Sequence, residues 1–312
     1  MSALPPIDVS DLRVLVSLAA EHHFARAAQA CNLSQPALSA RIRRMEQALG
    51  TPLVKRGHRF LGFTEAGERV LARARRVLAD LDGLAQDVTG GAELAGRLRL
   101  AAIPSAAPLA GRLAAALGAR HPLLETVCTN LSSRRIEMGL NDFSVDAGLT
   151  YLNNEPLAHV DTLPLMPERY ALVSGTPFSD DATQDGGGPI GWAQAARWPL
   201  ALLTPDMQNR RILDRAFAEA DARPQVVFES TSFLSILGRL RPPDTPIVAI
   251  LPALIVEQLD TRGLHVRPLA PMKVQPVIGL VAPKRELHLP STSALWRVAA
   301  EIAEGAGGDL IT

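Results

Sequence analysis

Apolar positions near the N-terminus recur at helical spacing. Leu12, Leu15, Val16 and Ala19 fall at i, i+3, i+4 and i+7, one face of a helix that Ser10 is placed to cap. Residues 25–30 predict a second, short helix, with Ala27, Ala28 and Cys31 forming a small-residue side that another helix can approach closely. Ser34 then offers a hydroxyl cap, and Pro36 falls in a first turn where a missing N–H costs nothing. Leu38, Ile42, Met45 and Leu49 follow at spacings of four, three and four, predicting a helix over 35–49 that stops at Gly50. Its opposite face carries Pro36, Ala40, Arg43 and Gln47, flanked by Ser39 and Arg44. Residues 52–54 and 60–63 are apolar runs around the basic turn 55–59, the pattern of two short strands with a charged tip.

The next stretch changes period. Val70, Ala74, Val77, Leu81, Leu84 and Val88 alternate spacings of four and three, a heptad seam on a helix that Thr64 can cap. A seam of this kind calls for a partner, and a second copy of the chain is the expected one. Gly90, Gly91 and Gly96 mark a hinge. From residue 98 onward, apolar runs of strand length alternate with helical segments, each helix opening on a Ser-, Thr- or Asn-bearing turn, which predicts a mostly parallel α/β sheet. A second unit of the same type follows, with crossovers near 163 and 268.

Composition alters this picture in one respect. The chain has 312 residues with 32 Lys+Arg and 32 Asp+Glu, so it is formally neutral, and neutrality alone argues against a nucleic-acid partner. The charge is not evenly spread, however. Residues 22–78 hold eleven bases against three acids, an excess of +8 that the remainder cancels. The excess coincides with the helix over 35–49, whose small residues and hydroxyls near its start allow close approach to a groove, while guanidinium groups can meet phosphates and base edges. The helix and the basic turn together have the layout of a helix-turn-helix with a wing. Two cysteines, Cys31 and Cys128, without a CxxC spacing, suggest neither a disulfide framework nor a zinc site. No signal peptide or membrane-spanning run is visible, so a cytoplasmic location is expected.

The residues Phe24-Ala25-Arg26-Ala27-Ala28, then Leu33 through Ser39, Ile42, Glu46, Leu49-Gly50, Arg56, Arg59 and Phe63 through Gly67 form a long, ordered, gapless pattern. It resembles the N-terminal signature of LysR-type transcriptional regulators, strongly over residues 8–95. Val54 and Met45 depart from it by apolar swaps, and Ala40 stands where many members carry a base. The resemblance implies an α/β protein overall: an all-α winged helix-turn-helix over 1–63, a linker and dimerisation helix with its hinge over 64–96, then a periplasmic-binding-protein-like effector domain. Its two lobes would be 97–163 with 269–304, and 164–268.

Carried onto this chain, the resemblance places DNA contacts on Ser34, Gln35, Pro36, Ser39, Arg43, Arg44, Arg56 and Arg59, with pairing of Arg56 to Glu46 or Glu68 as the alternative for that residue. Effector contacts fall on helix-start turns facing the cleft: Ser105, Ala106, Ser132, Ser133, Thr150, Thr204, Asn209, Ser230 and Thr231. Hydroxyl-rich turns at helix N-termini favour a small carboxylate or other anion. The implied partners are double-stranded operator DNA, an anionic small-molecule effector and a second or fourth copy of the chain, with RNA polymerase as a further one. No cofactor, metal, membrane or catalytic residue enters. A finer likeness, carried by residues 55–60, 148–152 and 155–157, is to regulators of formate dehydrogenase operons. Two other classes compete: an α/β enzyme, against which no Walker A, GxSxG, HExxH or dinucleotide fingerprint is found, and a solute-binding protein, which the missing export signal and the basic head both oppose. A redox-sensing regulator would need Cys31 and Cys128 to meet across two units, which disulfide geometry disfavours.

Overall fold

The computed structural model describes residues 6–55, 57, 59–88, 94–178, 188–241, 246–285 and 288–306, with side chains left aside at 85–88. The chain opens with α1 (Val9–Glu21), α2 (Phe24–Ala30) and α3 (Gln35–Leu49). Helix α3 has the expected limits: the Ser34 side chain accepts from the Ala37 N–H, and Gly50 ends the helix at φ +66°. Helix α1 differs from expectation. Its N-cap is Asp8, in a reciprocal capping box with Asp11, and not Ser10. Its buried face is Val14, Leu15 and Leu18, while Leu12, Val16 and Ala19 are only half-buried. These residues pack with Ala27, Ala28, Leu38, Ile42, Met45, Leu53 and Phe63 into one core. The wing is reduced to a single antiparallel bridge, Val54 to Phe63, in place of two strands. Phe60 secures it, edge-on to Phe24 at 5.9 Å and to Phe63 at 5.2 Å.

Thr64 caps α4 (Glu65–Val88), accepting from the Gly67 N–H and donating to the Pro52 carbonyl. A Cβ on Gly67 would lie 2.0 Å from the Leu53 carbonyl oxygen, so only glycine lets the helix start against this strand segment. The helix then leaves the head and lies along the first α/β unit. Arg75 pairs with Asp142 at 2.8 Å, Arg285 pairs with Asp80 at 3.0 Å, and the Arg285 and Arg76 guanidiniums both sit over the Phe143 ring.

Among the described residues, two five-stranded sheets follow. The first unit contains β1 (Gly96–Ala102), α5 (Ala107–Arg120), β2 (Leu124–Asn130), α6 (Ser133–Asn141), β3 (Ala147–Tyr151) and β4 (Val160–Pro167). The second contains β5 (Tyr170–Ser174), α7 (Trp192–Ala195), β6 (Pro199–Leu203), α8 (Gln208–Glu219), β7 (Gln225–Ser230), α9 (Phe233–Leu240), β8 (Val248–Pro252), α10 (Ala253–Val256) and β9 (His265–Pro268). The chain then returns to the first sheet as β10 (Val277–Pro283) and closes with α11 (Pro290–Ala306). The orders are β2-β1-β3-β10-β4 and β7-β6-β8-β5-β9. Each sheet has three parallel strands, then an antiparallel strand that is the first one after a crossover. The sheets are therefore mixed: four strands of each run the same way and one runs against them. Strand β4 pairs with β10 as far as Pro167, so the first crossover falls at 167–170 and not near 163. Of the expected hinge, Gly90 and Gly91 lie outside the described residues, and Gly96 opens β1 at φ +112°.

Candidate nucleic-acid interface and inter-lobe site

The exposed face of α3 carries Gln35, Pro36, Ala40, Arg43 and Gln47, with Ser39 half-buried beside them. Gln35, Ser39, Arg43 and Lys55 line an open groove of 360 Å³ between the helix and the wing. Arg59 is exposed on the wing, and Ser34 is exposed with its hydroxyl accepting the cap bond. Arg56 lies outside the described residues. Glu46, which sequence reasoning paired with Arg56, accepts from the Leu53 and Val54 N–H groups at 2.8 and 3.2 Å and so pins the wing to α3.

Arg44 has a partner inside the head. Its guanidinium lies 2.7 Å from both carboxylate oxygens of Asp11, and Arg41 adds a contact at 2.9 Å. Asp11 is wholly buried. Burial alone would raise its pKa, but the bonds from Arg44, the Asp8 backbone and Arg41 outweigh it and hold the carboxyl below its ordinary value. Arg44 therefore completes the head's internal structure, whereas Arg43 is turned outward with no ion-pair partner among the described residues.

The second site lies where the two sheets face each other across the crossovers. Glu168 stands between β4 and β5 and is 2% exposed. Its Oε2 accepts from the Tyr151 hydroxyl on the first lobe and, at 2.5 Å, from the Tyr170 hydroxyl on the second. Asn209, at the start of α8, donates to both phenol oxygens at 3.0 and 3.2 Å, and Ser105 lies 3.0 Å from the Tyr151 hydroxyl. The Glu168 backbone joins the other crossover, with its N–H donating to Pro276 at 2.7 Å and its carbonyl accepting from Gln275. Burial pushes the Glu168 carboxyl up to about 7, against the lowering effect of the hydroxyl and amide donors.

Of the expected effector residues, Ser105 and Asn209 enter this cluster directly. Ser133 and Thr150 are buried, and their hydroxyls, like that of Thr204, have no hydrogen-bond partner among the described residues. Ala106 is buried core. Ser132 is the α6 N-cap residue without a side-chain cap bond. Ser230 accepts from the Ser232 N–H in a local turn, and Thr231 is exposed, so neither joins the cluster. Sequence reasoning missed Tyr151, Glu168, Tyr170 and Gln208. Glu168 left one trace there: it is the lone acid in the largely apolar run 162–174, beside Arg169.

Along α4, Ala74 is buried against the chain's own head and Val70 packs beside it, so these two serve the internal core. Val77, Leu81 and Leu84 are 43%, 40% and 63% exposed and form an uncovered apolar row. The side chain of Val88 lies outside the described set.

Two outcomes follow from the geometry. Replacing Arg43 with Ala should leave the melting temperature unchanged and lower the slope of log K against log salt for DNA by about 1. Arg44→Ala should instead lower the melting temperature, measured on the same preparation; equal salt slopes for both variants would contradict the assignment. The second concerns Glu168, whose carboxyl keeps its proton up to about pH 7 in the folded chain, whereas the unfolded group loses it near its ordinary 4.5. Stability should fall as pH rises through that window, by at most about 1.4 kcal/mol per pH unit, and level off above it. Denaturant titrations of Glu168→Gln should show that fall reduced.

Comparison with known proteins agrees with both halves. Residues 9–68 match "Bacterial regulatory helix-turn-helix protein, lysR family", and residues 91–304 match "LysR substrate binding domain". The hydrogen peroxide-inducible genes activator of Pectobacterium carotovorum is 30% identical over 178 residues, which are 56% of this chain and 59% of that protein, so the match spans about three fifths of that relative. The DNA-binding transcriptional dual regulator OxyR of Escherichia coli is 28% identical over 292 residues, 86% of this chain and 92% of that one. Among solved structures, full-length OxyR from Pseudomonas aeruginosa superposes with a TM-score of 0.75 at 24% identity, covering 95% of this chain and 94% of that one. With one family description covering its head and another covering more than half its length, the chain belongs to the LysR family.

Proposed function

We propose that this chain is a DNA-binding transcriptional regulator that acts in the cytoplasm as a homo-oligomer, with its operator binding set by a small molecule between the two α/β lobes. One observation carries the reading. A single chain presents an outward helix bearing Gln35, Ser39 and Arg43, and separately a buried polar cluster between the lobes with hydroxyl and amide groups that lack partners among the described residues. The row Val77, Leu81 and Leu84 is the surface on which two copies pair. Paired copies hold two α3 helices over half-sites about one helical turn apart. Gln35 is the base-edge reader, and Ser39 and Arg59 meet phosphate or minor groove. RNA polymerase is a further partner of the DNA-bound oligomer.

The finer likeness to regulators of formate dehydrogenase operons finds no support among the relatives named above, whose own names refer to peroxide and to dual regulation. The peroxide response is not carried over either. Cys31 ends α2 in the head and Cys128 lies on the edge strand β2, so the two thiols belong to different units. A small anion in the crevice would meet the buried Glu168 carboxyl, and none of that group's hydrogen-bond partners is a Lys or Arg.

The DNA upstream of the chain's own gene provides the test. The full-length protein should shift it, less strongly as salt rises, and the double variant Leu81→Asp, Leu84→Asp should elute as a monomer and lose most of that affinity. An unshifted promoter at low salt would refute the regulator reading. Gln208→Leu removes an amide that has no partner within the chain. It should keep operator binding while a reporter on that promoter stops responding to the growth conditions that move it in the wild type. A reporter that still responds would place the effector elsewhere.

A further inference from the structure

The crevice holds more buried hydrogen-bonding capacity than the chain itself satisfies. Among the described residues, Glu168 Oε1, Asn209 Oδ1, both amide atoms of Gln208 and the hydroxyls of Ser133, Thr150 and Thr204 are shut from solvent without a partner. An orphaned buried polar atom costs roughly 1–3 kcal/mol, so a chain seldom gathers several unless something from outside completes them. All of them sit at the C-terminal ends of β3 and β6, at the starts of α6 and α8, or on the crossover between lobes. That is the crevice in which sheets of this type receive ligands.

The chemistry of what completes them can be read from the donors. Tyr151 and Tyr170 spend their hydroxyl protons on Glu168 Oε2, and both Asn209 N–H groups go to the two phenol oxygens. With the Tyr151 proton committed, Ser105 donates to that phenol oxygen. The donors of Tyr151, Tyr170, Asn209 and Ser105 are thus used, and once Glu168 has given up its proton the two atoms left bare at the centre, Glu168 Oε1 and Asn209 Oδ1, can only accept. Among the described residues, no Lys or Arg is hydrogen-bonded or ion-paired to any member of the cluster.

We infer that the effector presents a protonated amine to Glu168 Oε1 and Asn209 Oδ1, and meets Gln208 and the hydroxyls of Ser133, Thr150 and Thr204 with its other polar atoms. This rests on reading the crevice as the effector site, and it reverses the charge expected from the hydroxyl-rich turns alone. A helix N-terminus attracts anions, but that attraction is a partial charge worth roughly 0.3–1 kcal/mol at exposed sites. A full carboxylate buried beside it decides the sign. In the empty crevice a proton satisfies the carboxyl near neutrality; an ammonium takes the proton's place.

Calorimetry on the full-length protein with ethanolammonium chloride, sodium glycolate and ethylene glycol, matched in size and ionic strength, tests this. Ethanolammonium should bind the wild type, Glu168→Gln should weaken it about tenfold or more, and glycolate should show no binding. Gln208→Glu, which removes no bond within the chain, should tighten ethanolammonium and serves as the second variant if Glu168→Gln does not fold. Glycolate binding that Gln208→Leu abolishes would leave the crevice as the effector site and overturn the amine. Ethylene glycol binding as tightly as ethanolammonium would overturn the role of charge. Absence of binding by all three at millimolar concentration would overturn the inference, while the reporter response of Gln208→Leu decides the effector reading independently.

Discussion

One oxygen of one carboxyl group fixes how the two lobes meet. Glu168 Oε2 accepts from Tyr151 on the first lobe and Tyr170 on the second, and the same residue's backbone bonds to Gln275 and Pro276 at the end of the returning crossover. A carboxylate oxygen has room for few donors, and here each donor comes from a different element. Opening the crevice by any hinge motion must therefore break a bond at this atom, or carry Tyr151, Tyr170 and Asn209 along with it. A small set of discrete bonds, kept or broken together, is the kind of constraint that a two-state regulator would need.

Asp11 is the instructive contrast. Both carboxyls are buried, and both hold elements together. Asp11 is completed by Arg41 and Arg44, whose charged ends reach solvent, and its pKa lies below the ordinary value. Glu168 is completed only by hydroxyls and an amide, and burial raises it to about 7. Guanidinium pairs with charge-assisted bonds suit a carboxylate meant to stay ionised and rigid. Neutral donors leave the charge unmatched, and an unmatched buried charge responds to protons and to ligands. The head has the first arrangement and the sensor the second, in keeping with a fixed reader and a responsive body.

How much of this was legible in the sequence depends on how local the cause is. Helix α3 could be read to the residue because Ser34, Pro36 and Gly50 act within a turn of where they stand. The α1 cap was misplaced because Ser10 and Asp8 are both good caps, and only the reciprocal bond between Asp8 and Asp11 selects one. Arg44 and Arg43 are neighbours with the same side chain. Which one is held in an ion pair within the head is decided by an aspartate thirty-three residues earlier in the chain. The inter-lobe cluster is further still from view, since Ser105, Tyr151, Glu168, Tyr170 and Asn209 come from separate elements of two sheets. The hydroxyl-bearing turns drew attention to the region where Ser105 and Asn209 lie; they could not reveal the buried carboxyl beside them.

The route from crevice to DNA is short in physical terms. Leu289, just before α11, lies against Gly83 of α4, and α11 packs on the first sheet that supplies Tyr151. Phe143, held at φ +58° by its turn, is covered by Arg76 of α4 and by Arg285 just past the end of β10. Burial lowers the Arg285 pKa from its ordinary value, against the pull of Asp80 on α4. The linker helix is thus clamped to the lobe through β10, the strand on which the chain re-enters the first sheet. Any rearrangement that moves β10 relative to β3 must move α4 or break this clamp. Coupling between effector and DNA then needs no long pathway. It needs only that the clamp and the Glu168 bonds favour different lobe angles, so that a ligand satisfying Glu168 changes which of the two gives way.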